Sequence, residues 1–120
     1  MRELYWVGSS KEDLREFPEE VRSVFGYGLY LTQQGDMHSD AKPLKRFSGA
    51  SVLEIAERFN TDTYRAVYTV GLLSGVYVLH AFQKKATRGI ATPQREIELI
   101  RKRLQRAIRY DASLRDQERQ

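Results

Sequence analysis

A chain of 120 residues with 41% hydrophobic and 30% charged residues has material for one core and not for two. It has no cysteine, which excludes disulfides and thiolate zinc sites, and no apolar run near the roughly 20 residues needed to span a bilayer. The net charge of +4 is unevenly placed: residues 84–109 hold nine Lys and Arg against Glu96 and Glu98, a local +7 that leaves −3 elsewhere, so the basic quarter either meets a polyanionic partner or is simply a solvated helix face.

Residues 1–6 lack the apolar centre of a signal peptide, and together with the missing cysteines this predicts a cytoplasmic protein with no membrane partner. Arg2 to Val7 sets Leu4 and Trp6 against Glu3, Tyr5 and Val7, the alternation of a short strand that ends at Gly8. Ser9 with Glu12, or Ser10 with Asp13, has capping-box spacing for a short helix through Arg15 that packs through Leu14 and Phe17. Pro18 restarts the helix. Glu19 and Glu20 fall in its first turn, Val21, Val24, Phe25, Gly28 and Leu31 recur at helical spacing, and Gly35 closes it after Gln34. The two pieces form an N-terminal helical hairpin.

Residues 36–49 are rich in turn formers, with a short extended piece near Pro43 and Leu44 and a basic cluster of Lys42, Lys45 and Arg46. Ser51 to Phe59 reads as a strand, with Leu53, Ile55 and Phe59 on one face and Val52, Glu54, Ala56 and Arg58 on the other. A turn at Asn60-Thr61-Asp62 leads into a strand from Thr63 to Val70, where Arg65, Val67 and Thr69 oppose Tyr64, Ala66 and Tyr68. Val76 to Phe82 is largely apolar on both faces and is therefore central. Strict alternation groups Val78, His80 and Phe82 against Tyr77, Leu79 and Ala81.

Lys84 and Lys85 end that strand, because two ammonium groups cannot enter its interior. Gly89 turns the chain, with Thr92 as N-cap and Pro93 as the first helical residue. Ile97, Ile100, Leu104, Ala107 and Ile108 make an apolar stripe, and Arg95, Arg101, Lys102, Arg103, Arg106 and Arg109 fill much of the remaining circumference. Residues 111–120 have little to anchor them and are expected to fray. The order predicts one α+β domain over residues 1–110, with a mostly antiparallel twisted sheet, the helical hairpin and a C-terminal helix.

His38 and His80 do not form an i, i+4 ligand pair and no glycine-rich phosphate loop occurs, so no metal site and no cofactor is expected. What the pattern supplies is cations at strand positions. Arg58, Arg65, Lys84 and Lys85 can approach one region of an antiparallel meander, and Lys42, Lys45, Arg46, Arg88 and Arg101 are candidate RNA contacts. A cationic cleft suits RNA cleavage, because the ribose 2′-hydroxyl is the nucleophile and the protein need only move protons and stabilise the phosphorane. The alternative is that Arg65 simply pairs with Glu54 or Glu57. His80 is either a hydrogen-bonded core histidine or a proton carrier.

Leu53-Glu54-Ile55, Thr63 to Tyr68, and above all Tyr77 to Lys85 followed by Gly89 to Pro93 and the helix from Glu96 to Leu104 resemble the HigB-like branch of the RelE/ParE toxin superfamily. Trp6 to Lys11, Phe17-Pro18 and Ala41 to Leu44 extend the resemblance over nearly the whole chain. It implies a RelE-like fold and the toxin of a type II toxin-antitoxin module. Such a toxin is a metal-independent mRNA endoribonuclease, acts at the ribosome, and is silenced by a small helix-turn-helix antitoxin through which alone it meets operator DNA. On that resemblance Arg65 matches an arginine that contacts the scissile phosphate, and Lys84 and Lys85 match lysines closing the active-site strand. Many relatives carry an arginine two residues after the Glu of Leu-Glu-Ile, where this chain has Ala56; Arg58 is the possible substitute. Lys84, His80 and Tyr68 are candidates for proton transfer. Two other readings stand beside this one: a ParE-like gyrase poison acting by protein contact, and a catalytically weak regulatory subunit whose basic helix binds DNA or the antitoxin.

Overall fold

The computed structural model describes residues 1–47, 49, 51–84 and 92–119. These form, in chain order, β1 (Glu3–Trp6), α1 (Ser10–Arg15), α2 (Glu19–Gln33), β2 (Ala41–Pro43), β3 (Val52–Phe59), β4 (Asp62–Thr69), β5 (Gly75–Lys84) and α3 (Gln94–Glu118). The α+β order expected from the alternation and helical spacing is the order observed. The strands make one sheet, β1-β5-β4-β3-β2. β2 to β5 pair antiparallel, but β1 lies parallel to β5, from Glu3 beside Gly75 to Trp6 beside Val78. The sheet is therefore mixed. Everything between β1 and β5 serves as the long crossover that a parallel pair requires, and no local pattern in β1 reveals that direction.

Both faces of the sheet are covered. Phe17, Val21, Phe25 and Leu29 of the N-terminal helical region pack with Leu53, Ile55, Tyr64, Ala66, Tyr68, Val76 and Val78 on one side. On the other, Ile97, Ile100, Leu104 and Ala107 of α3 pack with Val52, Val67, Tyr77, Leu79 and Phe82. That double cover is why β5 is buried from Gly75 to Phe82. α2 ends where Gly35 takes a left-handed φ of 89°, which lets Gly35 N–H donate to the Thr32 carbonyl and Asp36 N–H to the Leu31 carbonyl. These two bonds are the Schellman closure that the glycine's position predicts.

Several local expectations are replaced. Pro18 and Pro93 themselves occupy the N-cap positions of α2 and α3, so Thr92 lies one residue outside the cap, and Ser9 caps α1 without a side-chain bond. Ile108 is 39% exposed, off the apolar stripe, while Arg103 is buried. α3 runs on to Glu118, through much of the segment expected to fray. Its anchor is polar: buried Asp111 accepts from the backbone N–H of Ser74 at 2.7 Å and of Leu73 at 3.4 Å. Strict alternation also fails inside β5. Val67 pairs with His80 but Tyr68 pairs with Val78, so Leu79 is the extra residue of a β-bulge. Beyond the bulge the faces exchange, Ala81 joins the α2 side, and His80 and Phe82 both lie under α3 with their rings stacked 4.9 Å apart.

Candidate functional site

Three cross-strand rows follow one another on the α3 face of β3, β4 and β5: Glu54–Val67–His80, then Ala56–Arg65–Phe82, then Arg58–Thr63–Lys84. The first row is closed, with exposures of 4%, 0% and 5%. α3 begins above it, where Glu96 bonds His80, and passes the β4–β5 turn, where Asp111 accepts from Ser74 N–H. The third row lies beyond the start of the helix, and there Arg58 is exposed and Thr63 and Lys84 are half-buried. Arg58, Arg65 and Lys84 are thus brought to the same end of one face. Register does this, because alternation alone fixes the face of each cation but not its neighbours.

Arg65 is the most constrained of them. It is 7% exposed, and its Nη1 donates to both oxygens of Glu54 at 2.9 and 3.0 Å. The pairing weighed above as the structural alternative is the one formed, and the picture of Arg65 as an open phosphate contact is corrected accordingly. Glu54 has a second cation at its rim, Lys42 Nζ at 4.0 Å, 64% exposed and carried by the neighbouring strand β2. Two positive groups therefore share one carboxylate, and the local balance stays cationic.

His80 sits in a chain of polar groups. Arg103 has only donors, and its Nη1 lies 3.2 Å from His80 Nδ1, so Nδ1 accepts and the ring proton resides on Nε2. Nε2–H then donates to Glu96 Oε2 at 2.8 Å. Arg103 also donates to the Leu79 carbonyl at 3.0 Å and to Ser9 Oγ at 3.0 Å, and Ser9 donates to Asp13 at 2.8 Å. Burial lowers the His80 pKa and the nearby Arg103 adds to this, against the opposing pull of Glu96, so the neutral ring of this arrangement is the favoured form at neutral pH. The chain passes close to backbone. Gly8 has φ 59°, and a Cβ there would stand 2.7 Å from Arg103 Nε.

Tyr68 does not belong to this site. It is fully buried in the cluster beneath α2, on the opposite face of the sheet, and burial raises its phenol pKa. Of the candidate RNA contacts, Lys45 and Arg46 are exposed in the loop after β2, with Arg46 Nη1 donating to Gln94 Oε1, and Arg101 lies over the Phe47 ring at 4.9 Å. They flank α3 rather than the Arg58–Lys84 row. Lys85 and Arg88, and the turn at Gly89, lie outside the described residues. Among the described residues no three His, Asp or Glu come together in a way that could hold a metal ion, and no helix is long and apolar enough to cross a membrane.

Glu96 and Arg103 were not singled out from the sequence as site residues. A signal existed: at i, i+4, i+7 and i+8, Glu96, Ile100, Arg103 and Leu104 share one side of α3, so two charges lie on its buried flank. With this geometry in view, the comparisons with known proteins add one match. The family model described as Phage derived protein Gp49-like (DUF891) covers residues 12–105, well over half of the chain. No curated protein and no solved structure matches significantly.

Proposed function

The chain belongs to the Gp49-like family, which is RelE-like and toxin-type, and from that premise we propose that it is the toxin of a type II toxin-antitoxin module that cleaves mRNA and so arrests translation. Family membership implies an antitoxin partner in general terms. The finer reading, a HigB-like interferase working on ribosome-associated mRNA and held by a small helix-turn-helix protein, is supported by the match of His80 to Lys84 and by the charge of α3. One observation carries it: Arg58 and Lys84 share the open row at the end of the α3 face, and Arg65 stands in the buried row next to it.

On this reading the cations of the open row receive the scissile phosphate. Arg58 and Lys84 supply charge at the open row, Lys42 adds to it from β2, and Arg65 acts from the buried side of the same face. Phosphorane formation concentrates negative charge where these groups stand, and removing one such contact costs on the order of 100-fold in rate. The attacking group is the 2′-hydroxyl of the RNA itself, so DNA of the same sequence is not cut.

The test is inducible expression with growth curves and transcript 5′-end mapping, comparing the wild type with Lys84→Ala and with a DNA-damage reporter. Arrest accompanied by new transcript ends, both lost in Lys84→Ala, is the expected result. Arrest with intact transcripts and an induced damage response would sink the nuclease reading in favour of gyrase poisoning.

A further inference from the structure

We propose that Glu96 is the proton acceptor in the cleavage step, with His80 positioning its carboxylate; this rests on the endoribonuclease reading above. The proton carriers suggested by the sequence are Lys84, His80 and Tyr68, and the geometry gives neither of the last two a route to substrate. Tyr68 is on the wrong face. His80 is 5% exposed, and both ring nitrogens are engaged, Nδ1 by Arg103 and Nε2 by Glu96.

The acceptor must then be a carboxylate, since Arg58, Arg65 and Lys84 are cations. Glu54 is 4% exposed and holds Arg65 through both oxygens. Glu57 falls by alternation on the α2 face with Ile55 and Phe59, and Asp62 likewise with Tyr64. Among the described residues of this end, Glu96 is what is left. It stands in the first turn of α3 over His80 of the closed first row, on the side toward the open Arg58–Lys84 row, with its side chain 17% exposed and the buried Arg65–Phe82 row between. His80 pins Oε2 at 2.8 Å, whereas among the described residues Oε1 faces Arg95, 3.9 Å away and largely in solvent. One oxygen is held by a buried partner and the other lies on the solvent side.

In the step itself the 2′-hydroxyl proton passes to the Glu96 carboxylate as the 2′-oxygen bonds to phosphorus. The bond from phosphorus to the 5′-oxygen breaks, leaving a 2′,3′-cyclic phosphate, and the departing 5′-oxygen takes a proton from the Lys84 ammonium. The titratable and charged groups around the carboxylate are the neutral His80 from β5, Arg95 and Arg103 from α3, and, one step removed through the Ser9 link, Asp13 from α1.

The experiment follows cleavage of a reporter mRNA in a reconstituted translation reaction across pH, for the wild type, Glu96→Gln, His80→Gln and His80→Ala. Glu96→Gln keeps an acceptor for His80, so its melting temperature and RNA retention should match the wild type while the rate falls about 100-fold or more and the acid limb of the pH profile disappears. His80→Gln, whose amide N–H replaces Nε2–H, should stay within about tenfold, and His80→Ala should fall further. Glu96→Gln cutting within about threefold of the wild type with the same acid limb overturns the assignment, as does loss of cleavage in His80→Gln while Glu96→Gln remains active. A folded wild type that leaves the mRNA intact removes the nuclease reading beneath it as well.

Discussion

Glu54→Gln is the most informative single perturbation of the candidate site. It converts a buried carboxylate, 6% exposed at its side chain and bonded twice to an arginine side chain 9% exposed, into a neutral amide that still accepts one hydrogen bond. Removing one charge from such a pair leaves the other uncompensated in low dielectric, which costs roughly 3–5 kcal/mol. With an unfolding entropy of about 2.1 cal/mol/K per residue, a chain of this length loses about 12–20 °C in Tm. Replacing both partners, Glu54→Leu with Arg65→Met, removes the charges together and should restore most of that loss, because well-packed apolar side chains of similar volume are often as stable as the pair. Thermal and urea melts of the wild type, Glu54→Leu, Arg65→Met and the double variant form a double-mutant cycle, with Glu54→Gln measured beside them. If Glu54→Gln melts within about 3 °C of the wild type, and the double variant is no better, the pair is not desolvated and the reasoning fails. The same numbers govern activity assays: Arg65→Ala strands Glu54 and destabilises the chain, so its lost activity says little about catalysis, and Lys84→Ala is the cleaner probe.

Two further perturbations test the supports of the site. Burial pushes the Asp111 carboxyl up, but the bonds from Ser74 and Leu73 and the charge of Arg115 outweigh it and hold the pKa below its ordinary 3.8. A carboxyl depressed in the folded state adds stability above its unfolded pKa and loses it as pH falls through the folded value. Urea melts from neutral pH downward should therefore show a wild-type decline below about pH 4 that Asp111→Asn, already weaker by about 1–3 kcal/mol, lacks; parallel curves would contradict the assignment. Gly8→Ala combines a left-handed backbone cost of about 1–2 kcal/mol with a Cβ 2.7 Å from Arg103 Nε, so it should lower Tm and disturb the His80 ring signals in NMR. In an Arg103→Met background part of that penalty should vanish, and strict additivity would show that the glycine matters only for its own backbone.

Much of the architecture was legible because it depends on local periodicity. Leu53, Ile55 and Phe59 against Val52, Glu54 and Arg58, and Tyr64, Ala66 and Tyr68 against Arg65 and Val67, follow from a period of two, and the observed faces agree. The C-terminal helix was legible for the same reason, through Ile97, Ile100, Leu104 and Ala107. Tyr68 shows the limit. Its place opposite Arg65 was already readable from alternation, yet family likeness suggested it for proton transfer; burial under α2 decides against that.

By itself, then, the sequence determined the order and type of the main strands and helices, which side of its strand each cation occupies, and that Lys84 must lie where β5 leaves the core. Tertiary structure alone decided the parallel placement of β1, the bulge at Leu79 that swings His80 under α3, the choice of Glu54 over Glu57 as partner of Arg65, and the meeting of Glu96, His80 and Arg103. The reason is physical. Side-chain alternation and helical spacing are set by the geometry of one segment, whereas register, bulges and buried ion pairs are set by competition between segments far apart in the chain, where one residue of slip exchanges every partner.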